Sequence, residues 1–291
     1  MRHARILLAG ILTTSAITVI STAGAVAHAA SSPTLAACKT LINSREYAKG
    51  KLTVATDNPG YSPWFINNKP ANGQGYESAV VYAIAAKLGV AKANVKWVTE
   101  PFDSSYVPGN KKFDFDINEI SYTADRAKAV TFSVSYYNVN QSIVSLKTNP
   151  IVTKHSPAQL KTYLYGDQIG TTGLAYINNE IMPTTPARVY STLDAAVAAL
   201  QSHQIDAIVI DTPSGQYMAS AQIVNKKGKS LATQVGQFPS TGEHYSALLQ
   251  KGSVLTACVN AAITQLNANG TIAKLQKRWL SVYTSVPKIK P

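Results

Sequence analysis

A few short stretches hold the residues whose types and spacing could do chemistry. Gly170-Thr171-Thr172-Gly173 follows the β-rich Gln168-Ile169 and precedes a helical pattern through Leu174, Ile177 and Ile181. Free N–H groups at a helix N-terminus, with Thr hydroxyls beside them, favour an anion, and the same residues also make an ordinary helix cap. In Ser121-Tyr122-Thr123-Ala124-Asp125-Arg126, Thr123 is placed to cap a short helix, with Arg126 in its first turn. A cation is disfavoured there. The guanidinium either points into a cleft, where it can grip a carboxylate through two parallel hydrogen bonds, or pairs at the surface. Asp211 ends the apolar strand Ile205 to Ile210, and a carboxylate there needs an ammonium, a hydroxyl or a cap as partner. Tyr61, Trp64 and Phe65 flank Pro63 in a long loop and either line a pocket or cover the edge of a core.

Other chemistries find little support. His155, His203 and His244 have no Cys, His or acid at metal-ligand spacing, so no metal is expected. There is no Gly-x-Ser-x-Gly elbow and no phosphate loop, and no cofactor is implied. Asp116 and Glu119 form a carboxylate pair of a kind that is common by chance. The formal net charge is +12, yet no Lys/Arg-rich run is interleaved with aromatics, so no nucleic-acid partner is expected. A basic surface suits an anionic cell envelope.

These residues must be positioned by elements that alternate. Leu52 to Thr56 reads as a strand leading to Asp57, followed by a helix from about Glu77 to Leu88 stopped by Gly89. Val95 to Val98 and Phe113 to Ile120 read as further strands, and a β-rich run covers Gln141 to Leu146. The pattern then restarts with the Gly-Thr-Thr-Gly turn, a helix through Leu193, Val197 and Leu200, and the strand before Asp211. Two helices separated by Asn269-Gly270 close the chain. The reading is an α/β fold with largely parallel sheets in two lobes, the polar residues at the carboxyl ends of strands where open α/β sheets bind ligands.

The first residues address the chain for export. Two arginines precede an apolar run from Ile6 to Val26, and Ala27-His28-Ala29 supplies a cleavage site, so 1–29 reads as a signal peptide. Two cysteines remain, Cys38 and Cys258, and an even count in an exported chain favours a disulfide. Leu35-Ala36-Ala37-Cys38 also has the form of a lipobox, which would instead make Cys38 a lipid anchor.

In order, these segments resemble the family 3 extracellular solute-binding proteins, the polar amino-acid receptors of ABC importers, from about Gly50 to Tyr283. Gly75-Tyr76-Glu77 before an Ala-rich helix resembles the Gly-Phe-Asp-Val-Asp-Leu signature, with Ser78 and Ala79 replacing the Val and the second Asp. Phe113-Asp114 through Ser121-Tyr122-Thr123, Arg126 and Phe132-Ser133 resembles the Ser-Ile-Thr-x-x-Arg…Phe-Ser block. Gly170-Thr171-Thr172-Gly173 and Asn269-Gly270-Thr271-Ile272 to Arg278-Trp279 resemble two more. The resemblance implies a two-lobed, type II periplasmic-binding-protein-like fold, each lobe a mixed, mostly parallel sheet flanked by helices. Residues 30–49 would form an N-terminal segment, 50–140 with 240–291 lobe 1, and 141–239 lobe 2, joined by a two-segment hinge.

The resemblance also implies roles. Arg126 with Ser121 on one lobe, and Thr171 with Thr172 on the other, would hold the α-carboxylate of a free amino acid. Asp211 would hold its ammonium, and Tyr61 or Trp64 would pack on its side chain. Glu119 stands where the family has a small residue, and with Asp57 it would favour a polar or cationic side chain. The expected protein is an exported monomer that closes on its ligand and delivers it to ABC permease subunits, without catalysis. The alternatives are a dehydratase-type enzyme on this scaffold, with Glu119 as its acid, and a ligand-sensing receptor subunit.

Overall fold

In the computed structural model the alternating runs build a five-stranded sheet, a three-stranded sheet and a two-stranded pair beside the latter, and residues 33–44, 49–283 and 286–289 are described. The expected signal peptide 1–29 lies outside the described residues. β1 (Leu52–Thr56) is buried along its full length, as its Leu-Thr-Val-Ala-Thr run requires of a strand covered on both faces. β2 (Val95–Thr99) and β3 (Phe115–Asp116) pair with it in parallel. β4 (Val130–Asn138) leads to the second sheet, to which β5 (Gln141–Leu146), β6 (Gly166–Gln168), β7 (Arg188–Tyr190), β8 (Ala207–Asp211) and β9 (Ala232–Gln237) belong or adjoin. β10 (His244–Gln250) then returns to the first sheet, whose order is β2-β1-β3-β10-β4, while the second is β8-β5-β9.

The sheets are less parallel than the alternation implies. β10 runs antiparallel to both β3 and β4, and β5 runs antiparallel to both β8 and β9. The cause is connectivity. β4 leaves the first sheet for the second through Val139 and Asn140, and the chain re-enters the first sheet as β10 through residues 238–243, so β10 runs back against β4 and β3. The strand expected over Phe113 to Ile120 pairs only at Phe115 and Asp116. Beyond it the backbone turns away, with Glu119 at φ 54°.

Helix Tyr76–Lys87 packs Val80 and Ile84 against Val259 and Leu266 of helix Thr256–Ala268, and Ile272 and Leu280 of helix Thr271–Leu280 join them. The expected stop at Gly89 is met, with φ 71°. In the second lobe, helix Leu193–Gln201 buries Val197 and Leu200 against Val144 and Ile208, while Ile151, Tyr165 and Ile177 fill the opposite face. Cys38 and Cys258 are joined, which ties helix Leu35–Asn43 to helix Thr256–Ala268 and leaves no free thiol at the lipobox. Among the described residues no helix is long and apolar enough to cross a membrane.

The end of the chain departs from its expected place with 240–291 in the first lobe. Lys288 bridges Gln237 of β9 in parallel, and Ile289 is buried among Val235 and Phe238. Gly236 makes the room, because a Cβ there would lie 2.9 Å from Ile289 Cγ1. The described end of the chain thus lies on the second sheet, beyond the two expected crossings.

Candidate functional site

The segments after β1, β2 and β3 and the strand ends of the second lobe enclose one cavity. The first lobe contributes Asp57, Pro59, Tyr61, Phe102, Asn118 and Glu119. Facing them are Gln141 at the start of β5, Asp167 and Gln168 of β6, the Thr171-Thr172-Gly173 turn, and Val209 to Asp211 of β8. Of the expected ligand residues, Tyr61, Asp57, Glu119, Thr171, Thr172 and Asp211 therefore share one wall system.

Arg126 and Ser121 do not line this cavity, although Arg126 reaches across the same seam. Its backbone N–H is capped by Thr123 Oγ1 at 3.1 Å, which sets the side chain at the start of helix Arg126–Ala129. Nη1 donates to Ser121 O at 2.7 Å, and Nη2 donates to Gly170 O at 2.8 Å in the second lobe. The guanidinium also lies 4.8 Å from the Tyr106 ring and 5.4 Å from Phe102. It is only 9% exposed and, among the described residues, forms no ion pair. Burial lowers its pKa, which is the sign of a desolvated cation. Two of its five N–H donors are engaged, so enough remain for a bidentate acceptor. The Ser121 hydroxyl is directed elsewhere and donates to Glu243.

The Gly-Thr-Thr-Gly turn divides its labour. Thr171 Oγ1 accepts from Leu174 N–H at 3.1 Å and donates to Gln168 O at 2.8 Å, so this hydroxyl is a cap. Thr172 Oγ1 lies 3.3 Å from Gln141 Nε2, whose two hydrogens have closer carboxylate acceptors, and it keeps its own hydrogen to give. Gly173 is required by closeness, since a Cβ would sit 2.1 Å from Val209 O.

Carboxylates dominate the rest. Asp211 Oδ1 accepts from Gln141 Nε2 at 2.7 Å, and the same nitrogen donates to Glu243 Oε2 at 2.9 Å. Burial pushes Asp211 well above the usual carboxylate range, and the charge of Glu243 adds to it. Burial likewise raises Asp167, with help from Asp211, and raises Glu119, with help from Glu77 and Asp211. Glu119 occupies the left-handed region, uncommon for a non-glycine residue. Its N–H donates to Glu77 Oε1 at 2.7 Å, and its carboxylate accepts from the Ser214 hydroxyl of the second lobe. Tyr61 lies beside Asp194 across the seam, and burial followed by that carboxylate raises its phenol.

Trp64 is a correction. It is fully buried and does not line the cavity. Its ring packs edge-on against Tyr76, Tyr137 and Tyr245 with centroids 5.9, 5.5 and 5.4 Å away, and Nε1 donates to Ser214 Oγ at 2.7 Å. Gly75 allows this tuck, because a Cβ there would come 2.2 Å from Trp64 O. The indole found a core and an acceptor together, which is what a buried Trp needs.

Residues 52–282 match the family described as bacterial extracellular solute-binding proteins, family 3. The chain belongs to that family. An L-arginine-binding protein of Pseudomonas aeruginosa is 26% identical over 243 residues, covering 79% of this chain and 90% of that protein. The solved structure of an ancestral arginine-binding protein bound to arginine superposes with a TM-score of 0.65 at 26% identity, covering 80% of this chain and 100% of that one. An ancestral amino-acid-binding protein described as a precursor of cyclohexadienyl dehydratase superposes with a TM-score of 0.64 at 27% identity, covering 80% of this chain and 96% of that one.

For a family 3 solute-binding protein, three residues at this seam were passed over in the sequence. Asp167 carries the same signal as Asp211, an acid inside a β-rich run, and could have been found that way. Gln141 opens the run to Leu146, where a polar first residue is unremarkable. Glu243 lies in a Ser/Thr/Gly-rich turn with no pattern to mark it.

Proposed function

We propose that this protein captures a free α-amino acid with a polar or cationic side chain outside the cytoplasm and hands it to the permease of an ABC importer. The observation that carries the reading is Arg126, a buried cation without a carboxylate partner whose guanidinium spans from the first lobe to Gly170 at the turn of the second. In this reading the ligand carboxylate takes the free N–H donors of Arg126 together with the Thr172 hydroxyl and the backbone of Thr171. Ser121 supports Arg126 through its carbonyl. Asp211 receives the ammonium, Tyr61 covers the side chain, and Glu119 and Asp57 face it from the first lobe. Because contacts come from both lobes, only the closed form makes all of them, and that differential affinity drives closure. The lobes are taken as 50–140 with 240–283, and 141–239. Two of the relatives above, the Pseudomonas aeruginosa protein and the ancestral protein bound to arginine, are named arginine-binding, which supports a cationic ligand.

The test is a thermal-shift screen of the purified protein against the common amino acids, followed by calorimetry on those that raise Tm, since a ligand stabilises the folded state it binds. Stabilisation by one or a few free amino acids is expected, with their amides and decarboxylated amines inert. Turnover of prephenate or arogenate, with no amino acid binding, would favour the dehydratase reading instead.

A further inference from the structure

Asp167 and Gln141, two second-lobe residues that line the cavity, each carry a buried acceptor oxygen with no donor. Asp167 is 2% exposed, and its Oδ1 takes the N–H of Gln168 at 2.7 Å while Oδ2 has no partner. Gln141 is 3% exposed, and its Oε1 is likewise unpartnered. Its amide orientation is fixed by chemistry. Nε2 faces Asp211, Glu243 and Thr172 at 2.7, 2.9 and 3.3 Å, and a flip would set Oε1 against two carboxylates. Both residues line the cavity, and so does Gly173 between them and β8. A Cβ at Gly173 would lie 2.6 Å from Asp167 Oδ2, so the bare backbone there keeps any side chain off that oxygen. Leaving a buried acceptor unpaired is costly, and a carboxylate oxygen more so.

Charge points the same way. The cavity-lining side chains include Asp57, Glu119, Asp167 and Asp211 but no lysine or arginine. One ligand ammonium answers Asp211 and leaves Asp167 unanswered. We propose that Asp167, assisted by Gln141 Oε1, is a specificity-determining acceptor for a second cationic group on the ligand, so that the protein selects amino acids bearing a guanidinium or ammonium side chain. The inference rests on the amino-acid reading of the cavity and narrows it. A guanidinium suits the pair, since its planar donors can reach two separate oxygens at once.

The experiment compares arginine with citrulline, which has the same length and shape but a neutral end, by calorimetry on the wild-type protein and on Asp167→Asn. The substitution keeps Oδ1 for Gln168 and replaces only the free oxygen. The wild type is expected to prefer arginine at least 50-fold. The variant should narrow that ratio at least tenfold, with citrulline affinity unchanged within threefold. The ratio is independent of the folded fraction of either sample. Equal wild-type affinities for the two ligands, or an unchanged ratio in the variant, overturns the proposal and leaves the amino-acid reading standing. Binding of neutral amino acids alone does the same, whereas a wild type that binds no amino acid at all overturns both.

Discussion

At the scale of single residues, Arg126 concentrates the argument. Its two hydrogen bonds go to carbonyls, one in each lobe, and its charge has no counter-ion among the described residues. Arg126→Ala is expected to weaken amino-acid binding at least 100-fold, because a ligand carboxylate would lose a charge-assisted, two-pronged contact worth roughly 3–5 kcal/mol. Arg126→Lys, which keeps the charge but not the fork, should fall between. Calorimetry with circular dichroism as the folding control measures both, and unchanged affinity in Arg126→Ala would remove the carboxylate site. The legibility of such residues was uneven. Arg126 and Asp211 each sit where the local element disfavours them or leaves them needing a partner, and Thr172 lies in what reads as an ordinary cap, so their roles were legible only through the family resemblance. The resemblance put Tyr61 ahead of Trp64, but the loop residues alone could not separate them, since a loop aromatic gives no sign of its direction. The structure sends one into the core and the other to the cavity.

At the scale of elements, the periodic segments were the readable ones. Helix Tyr76–Lys87 and helix Leu193–Gln201 follow their apolar spacing within a residue or two. Pairing was not readable, because alternation says nothing about which sheet a strand joins when two residues, Val139 and Asn140, carry the chain between sheets. The C-terminal Lys288 and Ile289 were equally opaque, their site on β9 existing only through the gap at Gly236. The disulfide was favoured by an even cysteine count in a chain read as exported, with the lipobox left as its rival, and it carries a prediction. It spans 220 residues of chain, so its loop-closure contribution is about 5 kcal/mol as an upper bound. Cys38→Ala/Cys258→Ala is expected to lower Tm by roughly 10 °C by scanning calorimetry, with ligand affinity retained because the bond lies in the first-lobe core, away from the cavity. A Tm within 2 °C of wild type would show that helix Leu35–Asn43 docks without it.

At the scale of the whole molecule, acids and bases are sorted. Asp57, Glu119, Asp167 and Asp211 line the cavity, while Glu77, Asp114 and Asp116 are buried in the first lobe. Among the described residues the exposed acids are Asp103, Asp125, Glu180 and Asp194, and exposed lysines heavily outnumber them, so the described surface is cationic. That surface suits an anionic envelope. The inward sorting makes stability fall with pH in a definite window. Burial raises Glu77 to about 8 and Asp116 to about 7. Above the ordinary carboxyl range the unfolded chain has released these protons while the folded state still holds them. Unfolding then releases protons, so the stability fully present below about pH 4.5 is lost progressively until pH passes about 8 for Glu77 and about 7 for Asp116. The ligand-free protein should therefore show a Tm lower by several degrees at pH 8 than at pH 5.5. Glu77→Gln, which keeps an acceptor for Glu119 N–H and the Tyr136 hydroxyl, should flatten the slope. A cationic ligand acts oppositely, since it favours ionised Asp167, Asp211 and Glu119, and its stabilising shift in Tm should widen as pH rises over the same window. Scanning calorimetry with and without ligand reads both trends, and a ligand-free Tm that climbs between pH 5.5 and 8 would mean these buried acids are ionised in the fold and paired by groups not identified above.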